Sequence, residues 1–496
     1  MAWPRPALWF DVLGGQNSHH MSRLRQDQEL VEMSQALNVL PDPAGKLVTR
    51  EGFSHVRATG ITGTTTVTGL WHMGDLSDKL VLGSNGKLWL DDANPPSEIT
   101  GGTAFTAGSL MRAEIFNGFL IVTSQARDLP QTVNSSATRA DLGGTPARGL
   151  DVKAFGRRVF MFSPSYGGTT YRHRAMFNSS DDNQAAWTTP DTLYYLNFGR
   201  EGAKVNVLGG EVYADHLVSF TEDSVFPVYT TPNATLPFAF QKDILAEDGG
   251  GPPIIHSVVK ANDRLYWLSK NYDMKEMLGF QIKSKGFPIQ PFLRGLSDSR
   301  RVFTVGFWEP KYRLVCWAVS DGADSTNQDI VAYHPDSGQF YFFTLSVASA
   351  CLRTVSGELR CMIGHYNGKF SNLFDGSTTG DLQDATSVID ADVMTPRHHL
   401  GMPNVVKKVP YVCVEFDPIG SESVTVQYQL DDSNSWSSFT ESAFSPSGND
   451  GDRGFFTIPA PFENIRLRFR DANSGERYRV VRYGFPSPKA LTMKRN

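Results

Sequence analysis

A short hairpin pattern recurs along the middle of this chain of 496 residues and constrains its fold more than any other feature. Each copy has a short strand, a turn with Asn, Gly, Asp or Pro, and a very apolar second strand, as in AEIFNGFLIVTS (113–124) and VVKANDRLYWLS (258–269). Seven turn markers define the copies: Asn85, Asn117, Gly156, Ala214, Asn262, Pro310 and Gly357. They lie 32 to 58 residues apart, which is the spacing of four-stranded blades joined by variable loops.

This repeat predicts an all-β fold with a β-propeller of six or seven blades over residues 61–385. In a propeller, the inner strands of each blade stack face to face on the neighbouring blades, so very apolar strands flanked by other strands are expected. A stack of β-sandwiches is the alternative architecture for the same pattern. The composition favours short strands and tight turns, since it includes 45 Gly and 28 Pro.

A different pattern precedes the repeat. Residues 23–40 (RLRQDQELVEMSQALNVL) have apolar side chains at near-helical spacing and are followed by PDPAG. We therefore expect residues 1–60 to form an N-terminal arm with one helix. The first residues, MAWPRPALWFDVLGGQ, lack a positive region followed by an apolar run, so a signal peptide is not expected.

A third pattern follows the repeat. Residues 386–486 alternate apolar and polar side chains between closely spaced turns, which predicts a C-terminal antiparallel β-sandwich. Residues 487–496 are expected to form a loose tail.

Charge and cysteine content exclude several classes. The net charge of −5 gives no overall attraction to nucleic acid or to an acidic membrane. No run of 18 apolar residues is present, so no membrane-spanning helix is expected. The four cysteines are not in Cys-x-x-Cys spacing, which indicates free thiols in a reducing compartment and no structural zinc. They are Cys316, Cys351, Cys361 and Cys413.

The loop SSDDNQAAW (179–187) is the first candidate site. Ser180, Asp182 and Trp187 match three positions of S-x-D-x-G-x-T-W, the Asp box of sialidase-type propeller blades, although its Gly and Thr are absent here. In such a box the carboxylate accepts backbone N–H groups of the turn and the Trp packs beneath it. We therefore predict a structural turn, with a calcium site or a catalytic acid pair as the alternatives.

The same spacing from Asp to Trp recurs at Asp431 and Trp436, in QLDDSNSW. Two loops in two domains with one spacing favour a shared turn geometry over a unique active site. No glutamate follows Asp182 at the distance that an EF-hand requires, so no metal ligand set is predicted.

Other polar residues do not form a recognisable catalytic pattern. Arg157, Arg264 and Arg313 lie in or just after hairpin turns, where solvent exposure is expected, whereas a sialidase needs arginines that converge on the axis. His19–His20 and His398–His399 are adjacent pairs, and neighbours on a strand point in opposite directions, so surface or interface positions are expected. We expect no enzymatic activity, no metal and no cofactor.

Near its end the chain is basic. Arg466, Arg468 and Arg470 share one face of a strand in NIRLRFR, and nine Lys or Arg stand against three Asp or Glu over residues 461–496. A partner subunit, nucleic acid or solvent could meet this face. It lacks the interleaved aromatic residues of a single-strand binder. The hypothesis is a partner interface formed by Arg466, Arg468, Arg470, Arg477, Arg479 and Arg482.

The layout as a whole resembles the tail hub or nozzle proteins of short-tailed bacteriophages, also called packaged-DNA stabilisation or tail tubular proteins. In this family a Gly-rich start, G-G-x-N, precedes a helix ending in Leu-Asn and then G-x-L-x-x-R-x-G. The matching residues here are Gly14, Gly15, Asn17, Leu37, Asn38, Gly45, Leu47, Arg50 and Gly52. Later matches are Ser179, Asp182, Trp187, Val228, Tyr229, Pro237, Phe238, Thr395, Pro396, Leu400, Gly401, Pro403 and Lys407.

The resemblance implies a structural virion protein that is assembled in the host bacterial cytoplasm and located in the virion tail. It would form a hexameric ring below the portal and its adaptor ring, retain the packaged DNA and conduct it during ejection. Tail fibres or spikes and a needle or plug protein are further implied partners, and double-stranded DNA would pass without specific binding. The alternative function is a propeller-type phage protein that binds or cleaves glycans, like a sialidase.

Overall fold

A computed structural model describes most of the chain. It covers residues 8–11, 33–41, 47–63, 65–74, 77–187, 194–199, 206–233, 236–241, 244–245, 250–271, 273–320, 324–375, 383–385, 387–417, 424–444, 453–471 and 479–490. The first strands are β1 (Leu8–Asp11), β2 (Gln35–Leu37), β3 (Val39–Pro41) and β4 (Leu47–Thr49).

Seven antiparallel sheets follow one another along the described residues between 67 and 372. Blade 1 contains β5 (Val67–His72), β6 (Leu80–Ser84), β7 (Lys87–Leu90) and β8 (Ser97–Ile99). Blade 2 contains β9 (Met111–Phe116), β10 (Phe119–Ser124), β11 (Gln131–Asn134) and β12 (Arg139–Asp141). Blade 3 contains β13 (Asp151–Phe155), β14 (Arg158–Phe162), β17 (Arg174–Phe177) and β18 (Tyr195–Asn197), with the small hairpin β15 (Ser165–Tyr166) and β16 (Thr169–Thr170) inserted.

The second half of the circle has the same plan. Blade 4 contains β19 (Val207–Tyr213), β20 (His216–Thr221), β21 (Ser224–Thr230), β22 (Phe238–Phe240) and β23 (Ile244–Leu245). Blade 5 contains β24 (Val259–Ala261), β25 (Arg264–Leu268), β26 (Met274–Leu278) and β27 (Gln281–Ser284). Blade 6 contains β28 (Val305–Glu309), β29 (Leu314–Val319), β30 (Asp329–His334) and β31 (Gln339–Thr344), and blade 7 contains β32 (Ser349–Val355), β33 (Glu358–Gly364) and β34 (Phe370–Asn372).

In the described part of the chain, helical structure is limited to short segments between blades. Three 3-10 turns cover Ile255–Ser257, Phe287–Ile289 and Arg301–Phe303, and one α-helix, α1, covers Gln290–Gly295. No helix in the described residues is long and apolar enough to cross a membrane.

Buried apolar clusters join each blade to the next and close the circle. One cluster joins blade 1 to blade 2, and corresponding clusters follow around the molecule until Val67 and Leu82 of blade 1 meet Met362 and Phe370 of blade 7. Blade 7 is completed from the other end of the chain, because His55 forms a β-bridge with Ser371 on its outer strand. The prediction of a β-propeller is confirmed, and its described blades number seven.

All seven turn markers lie between two strands of one blade, but one of them lies in a different turn from the others. Six of them lie between the first and second strands of blades 2 to 7, but Asn85 lies between the second and third strands of blade 1. Asn85 and Gly86 have φ of 50° and 74°, and Asn117 and Gly118 have φ of 46° and 78°. Both pairs suit a tight hairpin with positive φ at both central positions. The Asn-Gly sequence therefore predicted a hairpin turn at both places, although the two turns lie at different positions within their blades.

The C-terminal region forms two packed sheets. Its strands are β35 (Gln383–Asp384), β36 (Ser387–Val388), β37 (Ala391–Met394), β38 (Lys407–Lys408), β39 (Tyr411–Asp417), β40 (Val424–Leu430), β41 (Ser437–Phe444), β42 (Arg453–Thr457), β43 (Ile465–Asp471), β44 (Arg479–Phe485) and β45 (Lys489–Ala490). One sheet has the order β3-β4-β44-β39-β42, with β1 also paired to β44, and the other includes β2-β37-β43-β40-β41. Alternate residues such as Leu467 and Phe469 point into the shared core.

The predicted helix over residues 23–40 is wrong from residue 33 onward, and residues 23–32 lie outside the described part. Residues 35–37 and 39–41 are strands of the two sandwich sheets. Strand β2 pairs in parallel with β31 and antiparallel with β37, and Asn38 leaves the strand with φ of 56°. Tertiary pairing therefore overrides the helical spacing of the side chains. The tail is also more ordered than expected, since Lys489–Ala490 pairs with β38.

Candidate functional site: the joint between propeller and sandwich

The propeller and the sandwich share one continuous sheet. Strand β2 lies between β31, the last strand of blade 6, and β37, the first sandwich strand of that sheet, with Leu37 opposite Phe342 and Ala36 opposite Val393. The resulting order, β28-β29-β30-β31-β2-β37-β43-β40-β41, contains nine strands. A sheet that crosses from one domain to the other transmits its orientation through backbone hydrogen bonds.

A buried arginine fastens this joint. Arg50 is 1% exposed and forms a two-pronged ion pair with Asp384, with 2.8 Å between Nη1 and Oδ1. Its Nε donates to the Asn38 Oδ1 atom at 3.0 Å, and its guanidinium also donates to the carbonyl oxygen of Thr344 at 3.3 Å. Arg50 thus connects the N-terminal strands, blade 6 and the segment that enters the sandwich.

Asn38 completes the same network. Its Oδ1 accepts the backbone N–H of Thr344 at 3.0 Å, and its Nδ2 donates to the carbonyl oxygen of Asp390 at 2.8 Å. Its left-handed backbone is tolerated by asparagine better than by most residues. Asn38 and Arg50, two of the nine residues that match the N-terminal motif of the resemblance, are therefore hydrogen-bonding partners at the centre of the joint.

Two residues of the later motif hold neighbouring backbone segments together inside the sandwich. The Thr395 hydroxyl accepts the backbone N–H of Leu467 at 2.9 Å, which ties β43 to the end of β37. Lys407 is fully buried, donates to the carbonyl oxygen of Glu463 and lies over the ring of Phe462. The sequence marked Arg50, Thr395 and Lys407 as motif residues but gave no indication of Asp384, the partner of Arg50.

The loop 179–187 is held as a structural turn, but by different atoms than predicted. The Asp182 carboxylate pairs with Arg157 and does not accept backbone N–H groups of its own loop, and this pairing lowers the pKa of Asp182. Asn178 instead accepts the N–H of Val159 at 2.6 Å and donates to the carbonyl oxygen of Asn183 at 2.8 Å. Ser180 is beside these bonds and contributes its carbonyl oxygen.

The tryptophan of this loop behaves as expected. Trp187 is half-buried, packs against the cluster between blades 2 and 3, and donates from Nε1 to the carbonyl oxygen of Gln184 at 2.7 Å. In the related loop of the sandwich, Asp431 accepts the backbone N–H groups of Glu463 and Asn464 at 2.6 and 2.9 Å. Trp436 does not pack beneath that loop but over Arg466 and Arg468.

What the two loops share is a backbone conformation. Asp182 and Asp431 have φ of 52° and 50°, a left-handed region that aspartate enters more readily than most residues. The common spacing therefore predicted a common local conformation, whereas the side-chain partners of the two aspartates differ.

The arginines considered for a sialidase-like site do not converge. Arg157, Arg264 and Arg313 lie in separate blades, and each pairs with a carboxylate of its own blade. The partners are Asp182, Glu276 and Asp336, respectively. These pairs clamp turns within blades and leave no shared anion site.

The basic face of β43 is largely neutralised by β37. Arg468 makes a bidentate pair with Asp392, and Arg470 makes one with Asp390. Arg466 donates to the carbonyl oxygen of Thr395 at 2.9 Å. Of these three side chains only Arg470 is exposed. The face therefore consists of paired charges and the Trp436 ring and not of a row of free cations.

The remaining arginines of the predicted interface lie apart from this face. Arg482, on the other sheet, pairs with Glu415 at 2.6 Å and lies 4.4 Å from the centre of the Trp9 ring. Arg479 lies on the same strand, but its side chain is outside the described part, as is the whole of Arg477. The four arginines with described side chains, Arg466, Arg468, Arg470 and Arg482, therefore do not form one surface.

A turn that precedes the first strand of blade 5 reaches across the propeller. In the 3-10 turn Ile255–Ser257, His256 contacts the Met111 carbonyl oxygen of blade 2 at 3.2 Å, and Ser257 accepts the indole N–H of Trp317 in blade 6 at 2.8 Å. Ile255 packs directly on Gly209 of blade 4, where a Cβ atom would lie 2.5 Å from it. One turn thus reaches three other blades.

Charged side chains on the innermost strands add to these contacts between blades. Arg112 pairs with Asp151 at 3.0 Å, and Lys153 pairs with Glu114 and Glu211 at 3.1 and 2.9 Å. Burial alone would lower the pKa of Lys153, but the two glutamates outweigh it and the pKa is raised. These five residues form a closed set of ion pairs between blades 2, 3 and 4.

The other candidate side chains are structural as well. Cys316, Cys361 and Cys413 are buried free thiols, and Cys351 is a half-buried one. His398 is not at the surface as predicted but buried, 2.7 Å from the Tyr483 hydroxyl, whereas His19 and His20 lie outside the described residues. Among the residues with described positions, no three His, Cys, Asp or Glu side chains are arranged to hold a metal ion.

Fold and joint together define the class of this protein, a seven-bladed β-propeller fused through a shared sheet to a β-sandwich. No protein-family model matches the chain, and no curated protein is significantly similar to it. Among solved structures, the WD40 β-propeller domain of Doa1 is 12% identical with a TM-score of 0.40, covering 66% of this chain and 98% of that chain.

Two further solved structures are similar at the same low level. Virginiamycin B lyase from Staphylococcus aureus is 10% identical with a TM-score of 0.41, covering 65% of this chain and 99% of that chain. PorZ of Porphyromonas gingivalis, a surface component of the type-IX secretion system, is 10% identical with a TM-score of 0.36, covering 81% of this chain and 48% of that chain.

Proposed function

We propose that this protein is a structural component of a bacteriophage tail, a nozzle or hub subunit that forms a hexameric ring below the portal and its adaptor. The ring would retain packaged DNA, conduct it during ejection and carry tail fibres or spikes and a needle or plug protein. The observation that carries the proposal is the joint at Arg50, Asn38 and Asp384. Motif residues that the sequence shares with such subunits are used there to fix two domains in one orientation.

A fixed orientation is what a ring subunit requires. Closed rings form only when each copy presents its two contact surfaces at a constant angle, since small rotations would otherwise prevent closure. The nine-stranded sheet and the buried ion pair oppose such rotations. Enzymes that close around a substrate have the opposite requirement, a hinge between their domains.

The contacts across the propeller bear on where DNA would pass. The turn Ile255–Ser257 and the ion pairs around Lys153 join several blades across the inner strands, and we therefore propose that DNA passes between the subunits of the ring and not through a propeller. The net charge of −5 supports sliding, because phosphates would not be held tightly by the subunits.

Light scattering coupled to size-exclusion chromatography tests this proposal, together with an assay on model glycosides. The proposal predicts a particle of six times the subunit mass of 54.8 kDa and no glycoside hydrolysis. A protein that remains monomeric with and without the adaptor, or that hydrolyses a glycoside, would contradict it.

A further inference from the structure

A polar pocket of about 470 Å³ lies on one face of the propeller, at blades 2, 3 and 4. Each blade contributes the same two positions, the residues that enter its first strand and the loop that leaves its second strand. Its polar lining comes from Ser109, Gln125, Arg127, Ser163, Arg172, Asn206 and Glu222. The volume falls within the range of small-molecule sites.

Arg127 is fixed in the wall of this pocket. Its Nε donates to the carbonyl oxygen of Ser163 at 2.8 Å, and its Nη2 donates to the Ser163 hydroxyl at 2.9 Å. Both contacts cross from blade 2 to blade 3. Burial and the nearby charge of Arg172 lower the pKa of the Arg127 guanidinium.

Arg172 is held by its backbone alone. Its carbonyl oxygen accepts the N–H of Val207 at 2.8 Å, which fixes the residue between blades 3 and 4. Its side chain is exposed and has no hydrogen bond or ion pair with any described residue. Arg172 therefore presents unpaired donors beside a second guanidinium, that of Arg127.

We propose that this pocket binds the carboxylate or phosphate group of a small sugar acid or sugar phosphate, held between Arg127 and Arg172. An oxyanion there would relieve the repulsion between the two cations and satisfy the free donors of Arg172. Gln125, Asn206 and Glu222 also line the pocket and offer amide and carboxylate groups to sugar hydroxyls. This site is independent of ring formation and lies away from the joint.

Glu222 is the acidic residue in the lining of the pocket. It accepts a hydrogen bond from Asn206 at 2.6 Å and lies 3.8 Å from the Lys270 ammonium. Its carboxylate would repel a bound anion, so we expect the anion at the two arginines. A ligand with one charged group and several hydroxyls matches this arrangement better than a compact dianion.

Isothermal titration calorimetry on the whole protein tests the proposal with glucuronate, glucose 6-phosphate, glucose and inorganic phosphate. We expect glucuronate or glucose 6-phosphate to bind and glucose not to bind. Arg172→Ala should weaken that binding at least about tenfold, because a hydrogen bond to a charged group is lost. Arg294→Ala, which removes an exposed arginine outside the pocket, serves as the matched control and should bind like the wild type.

The outcomes separate the possible ligands. Preference for glucuronate assigns a carboxylate, preference for glucose 6-phosphate assigns a phosphate ester, and both support the site. If inorganic phosphate alone binds, or if no probe binds, the proposal of a sugar ligand is overturned. Equal affinity of wild type and Arg172→Ala would also overturn it, and since Arg172 has no side-chain partner, the variant should fold normally.

Discussion

Arg50 and Asp384 are 334 positions apart in the chain and form a buried bidentate ion pair at the joint between propeller and sandwich. Arg50 directly follows the hairpin of β3 and β4, and Asp384 lies between blade 7 and the sandwich. Their contact therefore joins the N-terminal and C-terminal parts of the chain, close to the bridge between His55 and Ser371 that completes blade 7.

Replacing Arg50 by alanine should destabilise the protein strongly. The change leaves the Asp384 carboxylate without its cationic partner in a buried setting, which costs about 3 kcal/mol or more of the free energy of unfolding. Denaturant titration monitored by tryptophan fluorescence measures this loss. Arg313→Ala is the control, because its pair with Asp336 is about half exposed on both sides and such pairs contribute little. Equal stability of both variants would show that the joint does not depend on Arg50.

The loop 179–187 should depend on Asn178 and not on Asp182. Asn178 is fully buried and makes three hydrogen bonds to backbone groups, so Asn178→Ala should lower the free energy of unfolding by about 2 kcal/mol or more. Asp182→Ala, its neighbour in the same loop, removes only an exposed ion pair and should change stability little. The reverse order in thermal denaturation would support the Asp-box role that the sequence suggested.

Acid should destabilise the protein through buried histidines. Burial lowers the pKa of His365 to about 4, and burial lowers the pKa of His256 and of His398 to about 3. An unfolded histidine has a pKa of about 6.5. Between these values the unfolded chain binds more protons, so stability is complete above about pH 6.5 and falls as the pH drops towards 4, by about 1.4 kcal/mol per pH unit for each residue.

The variant His365→Asn isolates one of these contributions. Between pH 4 and 6.5, the slope of the unfolding free energy against pH should be smaller than in the wild type by about 1.4 kcal/mol per pH unit, which corresponds to one proton. Burial raises the pKa of Glu309 to about 7, which gives an opposite slope from about 4.5 to 7. Because both proteins contain Glu309, its effect cancels in the difference, and identical slopes would contradict the assignment to His365.

The basic face of β43 can be tested without unbalancing its charges. Exchanging Arg470 and Asp390 in the double variant R470D and D390R keeps an ion pair in place, so stability should change little. If the proposed partner contact includes Arg470, assembly should fall towards smaller particles, as measured by light scattering. The same exchange at Arg313 and Asp336, a comparably exposed pair in blade 6, should leave assembly unchanged. Unaltered assembly in the R470D and D390R variant would remove Arg470 from the interface.

The sequence predicted the propeller because its signal is local and repeated. The second strand of a blade is largely buried between its neighbours, as Leu314–Val319 is along its whole length, and the apolar residues of the strand itself predict that burial. The segment 33–40 was predicted wrongly because its structure is decided by β31 and β37, which are distant in the chain. Helical spacing of its side chains carried no information about those partners.

Side-chain partners were harder to predict than elements. The sequence marked Asn38, Arg50 and Lys407 through a resemblance, but burial and the identity of Asp384 as a partner depend on the tertiary arrangement. Arg468 was recognised as part of a basic face, yet its neutralisation by Asp392 required the pairing of β37 with β43. Charge patterns along one strand do not reveal the charges on the next.

Imaging of the purified oligomer by electron microscopy tests the proposed role most directly. We predict six subunits around an open central channel, with the turn Ile255–Ser257 reaching across each propeller. Class averages of isolated subunits in the presence of the adaptor, or a continuous channel running through the propeller itself, would contradict the account.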